Sequence, residues 1–187
     1  MRWRQVGVLY LVAGAMGVAY WAGTGRPVPV VAVHPARRRF LEVEVGQVRE
    51  LRLARGGRTV VSRRDGERWT VVEPPDAAIP PDLVAAFVAA LAGAEEIDVV
   101  DSTGVDPQSY GLGEQAARVE VVVEPGAPLL VTIGNPNPTG TAVYARGAAA
   151  RGIVLIGRTV RYYEDLIFQA LPGPQPPAVE QGLPVGG

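Results

Sequence analysis

The chain has 187 residues, a formal net charge of −1 and no cysteine. Without cysteine, disulfides, thiolate nucleophiles and thiolate metal ligands are excluded. A net charge near zero gives no overall field that attracts nucleic acid, so no nucleic-acid partner is expected. The single histidine, His34, lies in a proline-rich stretch and is interpreted as a solvated spacer residue. We therefore expect no catalytic residue, no metal site and no cofactor.

The first predicted element is a transmembrane anchor over residues 1–25. Gln5 to Gly25 carries no charge, and about 20 apolar helical residues cross a hydrocarbon core. Arg2 and Arg4 precede this segment and favour a cytoplasmic N-terminus. The sequence thus predicts an uncleaved single-pass protein of the inner membrane, with its main domain periplasmic or otherwise extracytoplasmic. The side chains expected to contact the lipid bilayer are Val6, Val8, Leu9, Leu11, Val12, Val18, Tyr20 and Trp21.

A stiff spacer and a folded domain are predicted after the anchor. Residues 26–39 alternate proline with β-branched residues, a pattern that favours extended backbone. The domain is predicted over 40–171, and its first half contains strand-like runs bounded by glycine turns. These runs are 40–45, 48–54, 58–63 and 69–72. Trp69 begins the last run and is expected to lie in the core.

A helix and a strand follow these runs, and the second half of the domain then repeats the plan of four strands and a helix. A helix is predicted from about Pro80 to Gly93, because apolar residues recur at helical spacing, and a strand follows at 97–100. The sequence then predicts strands at 118–123, 129–133, 141–145 and 153–156, and a helix at 160–171.

The expected fold class is α+β, with a mostly antiparallel sheet and two helices behind the transmembrane helix. The sheet is either continuous, with both helices on one face, or a duplicated β-meander-plus-helix unit. The tail, 172–187, is rich in proline and glycine and is predicted to be disordered.

Two polar segments are candidates for binding or chemistry. Five carboxylates bracket the strand after the first domain helix, but they lack the spacing of an EF-hand loop and are interpreted as a solvated rim. They are Glu95, Glu96, Asp98, Asp101 and Asp106. The segment 134–140 has no lysine and is followed by a strand, so it predicts a long hairpin rather than a phosphate-binding loop.

Four residues are predicted to contact a partner. Tyr162 and Tyr163 are adjacent on a helix, so at least one ring must point away from the core. Asn135 and Asn137 lie in the predicted hairpin, where a ligand or partner would meet them.

Short motifs of the domain resemble the bacterial domain-of-unknown-function family DUF 4340, over roughly residues 40–171. The motifs are RWTVVEPP at 68–75, YGL at 110–112, LVTIG at 130–134 and GTAVYAR at 140–146. The resemblance implies a membrane-anchored envelope protein without established catalytic residues, and some family members occur beside components of ABC-type exporters.

We therefore expect a non-catalytic accessory subunit, whose domain binds or stabilises protein subunits of a larger membrane complex such as an ABC-type export system. The alternatives are a module that binds an envelope polymer or lipid through the 134–140 hairpin, and a carboxylate-based hydrolase.

Overall fold

The structure is a computed structural model that describes residues 3–24, 38–103, 106–147 and 152–172. The chain divides into two compact units, Met1–Pro35 and Ala36–Gly187. Predictions for His34, for most of the spacer and for the tail beyond Pro172 lie outside the described residues.

The described part of the first unit is helix α1, Trp3–Thr24, of 22 residues. In the described ranges of the chain, no helix combines the length and the apolarity that a membrane span requires. The predicted transmembrane anchor, single-pass topology and inner-membrane location are therefore wrong, and the predicted fold class is wrong in this element. Eight of the 22 residues are alanine or glycine, which carry little apolar surface and contribute little to transfer into lipid.

Four of the side chains predicted to contact lipid are described, and all four are exposed in this unit: Leu11, Val12, Val18 and Tyr20. The side chains of the other four, Val6, Val8, Leu9 and Trp21, lie outside the described set.

The second unit is built on one eight-stranded sheet in the order β3-β2-β1-β5-β6-β7-β8-β4. Every neighbouring pair is antiparallel. Because β1 pairs with β5, strands from both halves of the domain form one continuous sheet. The strands are β1 Val48–Arg55, β2 Arg58–Asp65, β3 Arg68–Glu73, β4 Asp98–Asp101, β5 Ala117–Val123, β6 Leu129–Pro136, β7 Ala142–Gly147 and β8 Ile153–Gly157.

Helices α2 and α3 cover one face of this sheet. In β5, Ala117, Val119 and Val121 are buried while Arg118 is exposed, as the two-residue period of a strand requires. Helix α2, Pro81–Ala92, and helix α3, Thr159–Gln169, contact each other and contribute to the same apolar cluster as the buried strand residues. The helix side chains in the cluster include Val84, Phe87, Val88, Leu91, Val160, Ile167 and Phe168.

The segment 40–45 is not the strand that the sequence predicted. Phe40 and Leu41 are consecutive and both buried, whereas a strand would direct one of them away from the core. The backbone N–H of Phe40 donates to the carbonyl of Ala94 at 2.9 Å, next to the end of α2. A short 3₁₀ turn at Val45–Gln47 then leads into β1.

The face of the sheet opposite the helices, the back face, is partly covered by the connection from β4 to β5. Tyr110 of this connection packs edge-on against Tyr144 of β7, with ring centroids 4.9 Å apart. A side chain at Gly134 of β6 would overlap the carbonyl of Tyr110. Glycine is required there because the connection lies directly against the strand.

Candidate functional site

An open groove of about 350 Å³ lies between the end of α2, the start of β4 and the start of α3. Most of its lining is small and apolar, because α2 ends in alanine and glycine and leaves space beside α3. The lining residues are Ala89, Ala90, Gly93, Ala94, Glu95, Ile97, Gly157, Thr159 and Val160. We call this feature the α2–β4 groove. Its volume falls in the range of ligand sites and suits a short aliphatic side chain.

Exposed aliphatic residues continue the groove along β4. Ile97 lines the groove and is 50% exposed, and Val99, two residues further, is 54% exposed. Ile97 directly precedes β4, and its backbone N–H donates to the carbonyl of Leu155 in β8 at 2.8 Å, so it continues the strand, in which residues two apart point to the same side. Since β4 is the last strand in the sheet order, the groove and these side chains form one apolar surface at the edge of the described sheet.

A second distinctive feature is a partly buried ion-pair cluster between the β1–β2 hairpin and α3. Arg55 Nη1 donates to Glu164 Oε1 at 2.6 Å and to Asp165 Oδ1 at 2.5 Å. Arg161 Nε lies 3.2 Å from Asp165 Oδ1. The Arg55 guanidinium also lies 4.4 Å from the ring centroid of Phe168, a cation–π distance.

Glu164 is the fully buried carboxyl of this cluster. Burial raises the pKa of Glu164 to about 7, against the opposing charges of Arg161 and Arg55. Its Oε2 atom accepts no hydrogen bond from the described residues and lies 3.7 Å from Arg161 Nη1. The α2–β4 groove is not lined by this cluster. We therefore interpret the cluster as a link between the hairpin and α3.

The two tyrosines that the sequence predicts to contact a partner have different environments. Tyr162 is 52% exposed, whereas Tyr163 packs against the core cluster. Their rings contact each other edge-on, with centroids 5.4 Å apart. Tyr162 is thus the tyrosine that a partner can reach, and it lies one helical turn beyond Thr159 of the groove.

Asn137 is engaged within the fold, whereas Asn135 is exposed. Asn137 Oδ1 accepts hydrogen bonds from the backbone N–H groups of Thr141 at 3.0 Å and Ala142 at 3.1 Å, which closes the hairpin. The side chain of Asn135 lies directly over Gly111. The hairpin therefore uses the side chain of Asn137 for its own geometry.

The acidic segment is also organised locally. Asp98 accepts a hydrogen bond from the backbone of Val99 at 2.8 Å, and Asp101 accepts one from the hydroxyl of Thr103 at 2.6 Å. Asp106 accepts from the hydroxyl of Ser109. Across the described residues, no group of three or more histidine, cysteine or acidic side chains has metal-binding geometry.

Sequence reasoning missed Arg55 and Glu164, although a signal for Glu164 was present. Glu164 lies four residues after Val160 and three before Ile167, so it shares the apolar face of α3. A carboxylate on such a face needs a basic partner. The identity of that partner depends on the fold, because Arg55 is 109 positions away.

Comparisons with known proteins give no match for this chain among family models, curated proteins or solved structures. The resemblance to DUF 4340 therefore stays a prediction.

Proposed function

We propose that the second unit is a non-catalytic protein-binding domain that receives an aliphatic side chain of a partner protein in the α2–β4 groove. The observation that carries this proposal is the groove itself, with its small apolar lining beside exposed Ile97 and Val99. Burial of apolar area in such a site contributes about 25 cal/mol per Å². A partner segment that fills the groove and covers Ile97 and Val99 removes the groove lining and both of these side chains from water.

The polar groups of the groove support a protein ligand. Glu95 lies in the connection between α2 and β4, and Thr159 is the first residue of α3. Groups of this kind orient a ligand while the apolar lining supplies affinity. Tyr162, one turn along α3 from Thr159, extends the contact surface, and exposed tyrosines are favoured at protein interfaces.

The proposal is tested with a substitution on α2 that places a larger side chain in the groove. Peptides are first selected from a phage-displayed random library against the full chain, and the affinity of each is then measured for variants. Ala89→Leu places a larger side chain in the groove from an exposed helical position. We expect it to weaken binding of the selected peptides by about tenfold or more, which corresponds to about 1.4 kcal/mol.

Ala86→Leu is the matched control, because Ala86 lies on the same helix but does not line the groove. This variant should bind the selected peptides like the unmodified chain. Equal binding by all three proteins would show that the peptides bind elsewhere and would contradict the proposal.

A further inference from the structure

The back face carries a row of polar residues across three neighbouring strands. Arg118 of β5 is the register partner of Thr132 of β6, and Thr132 is the register partner of Arg146 of β7. Register partners lie on the same face of a sheet. Val131 and Ile133 flank Thr132 and are buried on the helix side, so the row lies on the back face. We call Arg118, Thr132 and Arg146 the arginine row.

Two carboxylates of the back face, Glu50 and Glu120, form ion pairs with arginines outside this row. Glu50 pairs with Arg52 at 2.6 Å and with Arg63 at 2.7 Å. Glu120 lies 3.8 Å from Arg52. These two carboxylates and two guanidinium groups compensate each other. In the described residues, Arg118 and Arg146 have no ion-pair partner, and both are exposed.

The spacing of the row suits an extended acidic chain. Adjacent strands lie about 4.8 Å apart, so the two arginine backbones are separated by about 10 Å. Long flexible side chains at that separation can converge on one carboxylate above Thr132 or bind two carboxylates of an extended segment. Arginine presents a planar set of donors that matches a carboxylate. Leu130, 57% exposed on the same face, adds an apolar contact.

We propose that the arginine row is a binding site for an acidic segment of a partner protein. Charge complementarity supports this occupant, because two positive charges that have no ion-pair partner among the described residues face solvent next to a neutral ion-pair network. Nucleic acid is less suitable, since Glu50 and Glu120 lie on the same face and the whole chain has a net charge of −1. The site is separate from the α2–β4 groove and does not depend on it.

The test uses the full chain and a fluorescein-labelled hexaglutamate peptide as the probe. We expect saturable binding that weakens as ionic strength rises, because exposed charges are screened by salt. The double variant Arg118→Ala/Arg146→Ala should bind the peptide about tenfold or more weakly than the unmodified chain. Backbone amide resonances of Arg118, Thr132 and Arg146 should shift when the peptide binds.

The matched control is Arg39→Ala/Arg49→Ala, which removes the same charge but takes both arginines from exposed ion pairs, with Glu44 and Glu124. This control and the groove variant Ala89→Leu should both retain peptide binding. Absence of binding, an equal loss in both double variants, or tighter binding of a DNA oligonucleotide than of hexaglutamate would overturn the proposal.

Discussion

Arg55 and Glu164 are 109 positions apart in the chain, and their charged atoms lie 2.6 Å from each other. This pair connects the end of β1 to the middle of α3. The same guanidinium stacks on Phe168, which is buried one turn further along the helix. One arginine thus stabilises the position of α3, whose first residues line the proposed binding groove.

We expect Arg55→Ala to lower the free energy of unfolding by about 3–5 kcal/mol, because it leaves the buried Glu164 without its nearest cation. Arg49→Ala is the control, since Arg49 forms an exposed pair with Glu124 at 3.2 Å. That change should cost about 1 kcal/mol or less. Urea denaturation measures both, and equal effects would show that the Arg55 pair contributes no more than a surface pair.

The stability contributed by Glu164 should depend on pH. Because its pKa rises from 4.5 to about 7 on folding, the folded chain binds this proton more tightly than the unfolded chain. The resulting stabilisation is complete below about pH 4.5 and is lost as the pH rises through about 7. It corresponds to about 3 kcal/mol.

Glu164→Gln removes this titration. We expect the variant to gain about 3 kcal/mol relative to the unmodified chain between about pH 4.5 and pH 8, measured by denaturation across the range. Glu124→Gln, at an exposed site, should show no such relative gain. A constant difference between the Glu164→Gln variant and the unmodified chain at every pH would contradict the assigned pKa.

Trp69 lies in β3 and is 3% exposed, as the sequence predicted for a core residue. Trp69→Ala should lower the free energy of unfolding by about 3–5 kcal/mol, because a large cavity replaces the indole ring. Val72→Ala is the control on the same strand, where the side chain is exposed. Thermal denaturation should show a large decrease in Tm for the first variant and a small one for the second.

Gly111 adopts a φ of +71°, and a side chain there would overlap the side chain of Asn135. Gly111→Ala should therefore cost about 1–3 kcal/mol. Adding Asn135→Ala should recover the stability lost through overlap with the Asn135 side chain. The stability lost because alanine is strained at a positive φ should remain lost. Gly46→Ala is the control, because a Cβ at Gly46 meets no described atom within 4 Å. Equal stabilities for the Gly111 and Gly46 variants would contradict the observed packing.

The sequence predicts most individual elements because their signals are local. The alternation of buried and exposed residues in β5 and the apolar spacing of Phe87, Val88 and Leu91 in α2 are readable within one segment. The order of the strands in the sheet is not readable in this way, since the pairing of Leu51 with Val121 joins strands that are separated in the chain by β2, β3, α2 and β4. The cluster around Glu164 depends on the same long-range arrangement.

The errors also have physical reasons. An uncharged run favours a transmembrane prediction by length, but the small residues of α1 limit its apolarity. The β-branched residues Val43 and Val45 favour a strand, but burial of the adjacent Phe40 and Leu41 requires a bend. The α2–β4 groove was missed because the alanines of α2 indicate a helix without indicating an empty space beside it.

If a partner protein contacts the α2–β4 groove, as proposed, exposed residues beside the groove should crosslink to it. Site-specific photo-crosslinking in cells that produce the protein tests this contact, with benzoylphenylalanine in place of exposed Tyr162, one helical turn from Thr159 of the groove, or, as the control, in place of exposed Val72 on β3 at the other edge of the described sheet. We expect one discrete protein adduct from position 162, little or none from position 72, and loss of binding of the purified adduct partner in Ala89→Leu. Equal adducts from both positions, or an identified partner that binds Ala89→Leu with unchanged affinity, would contradict the proposal.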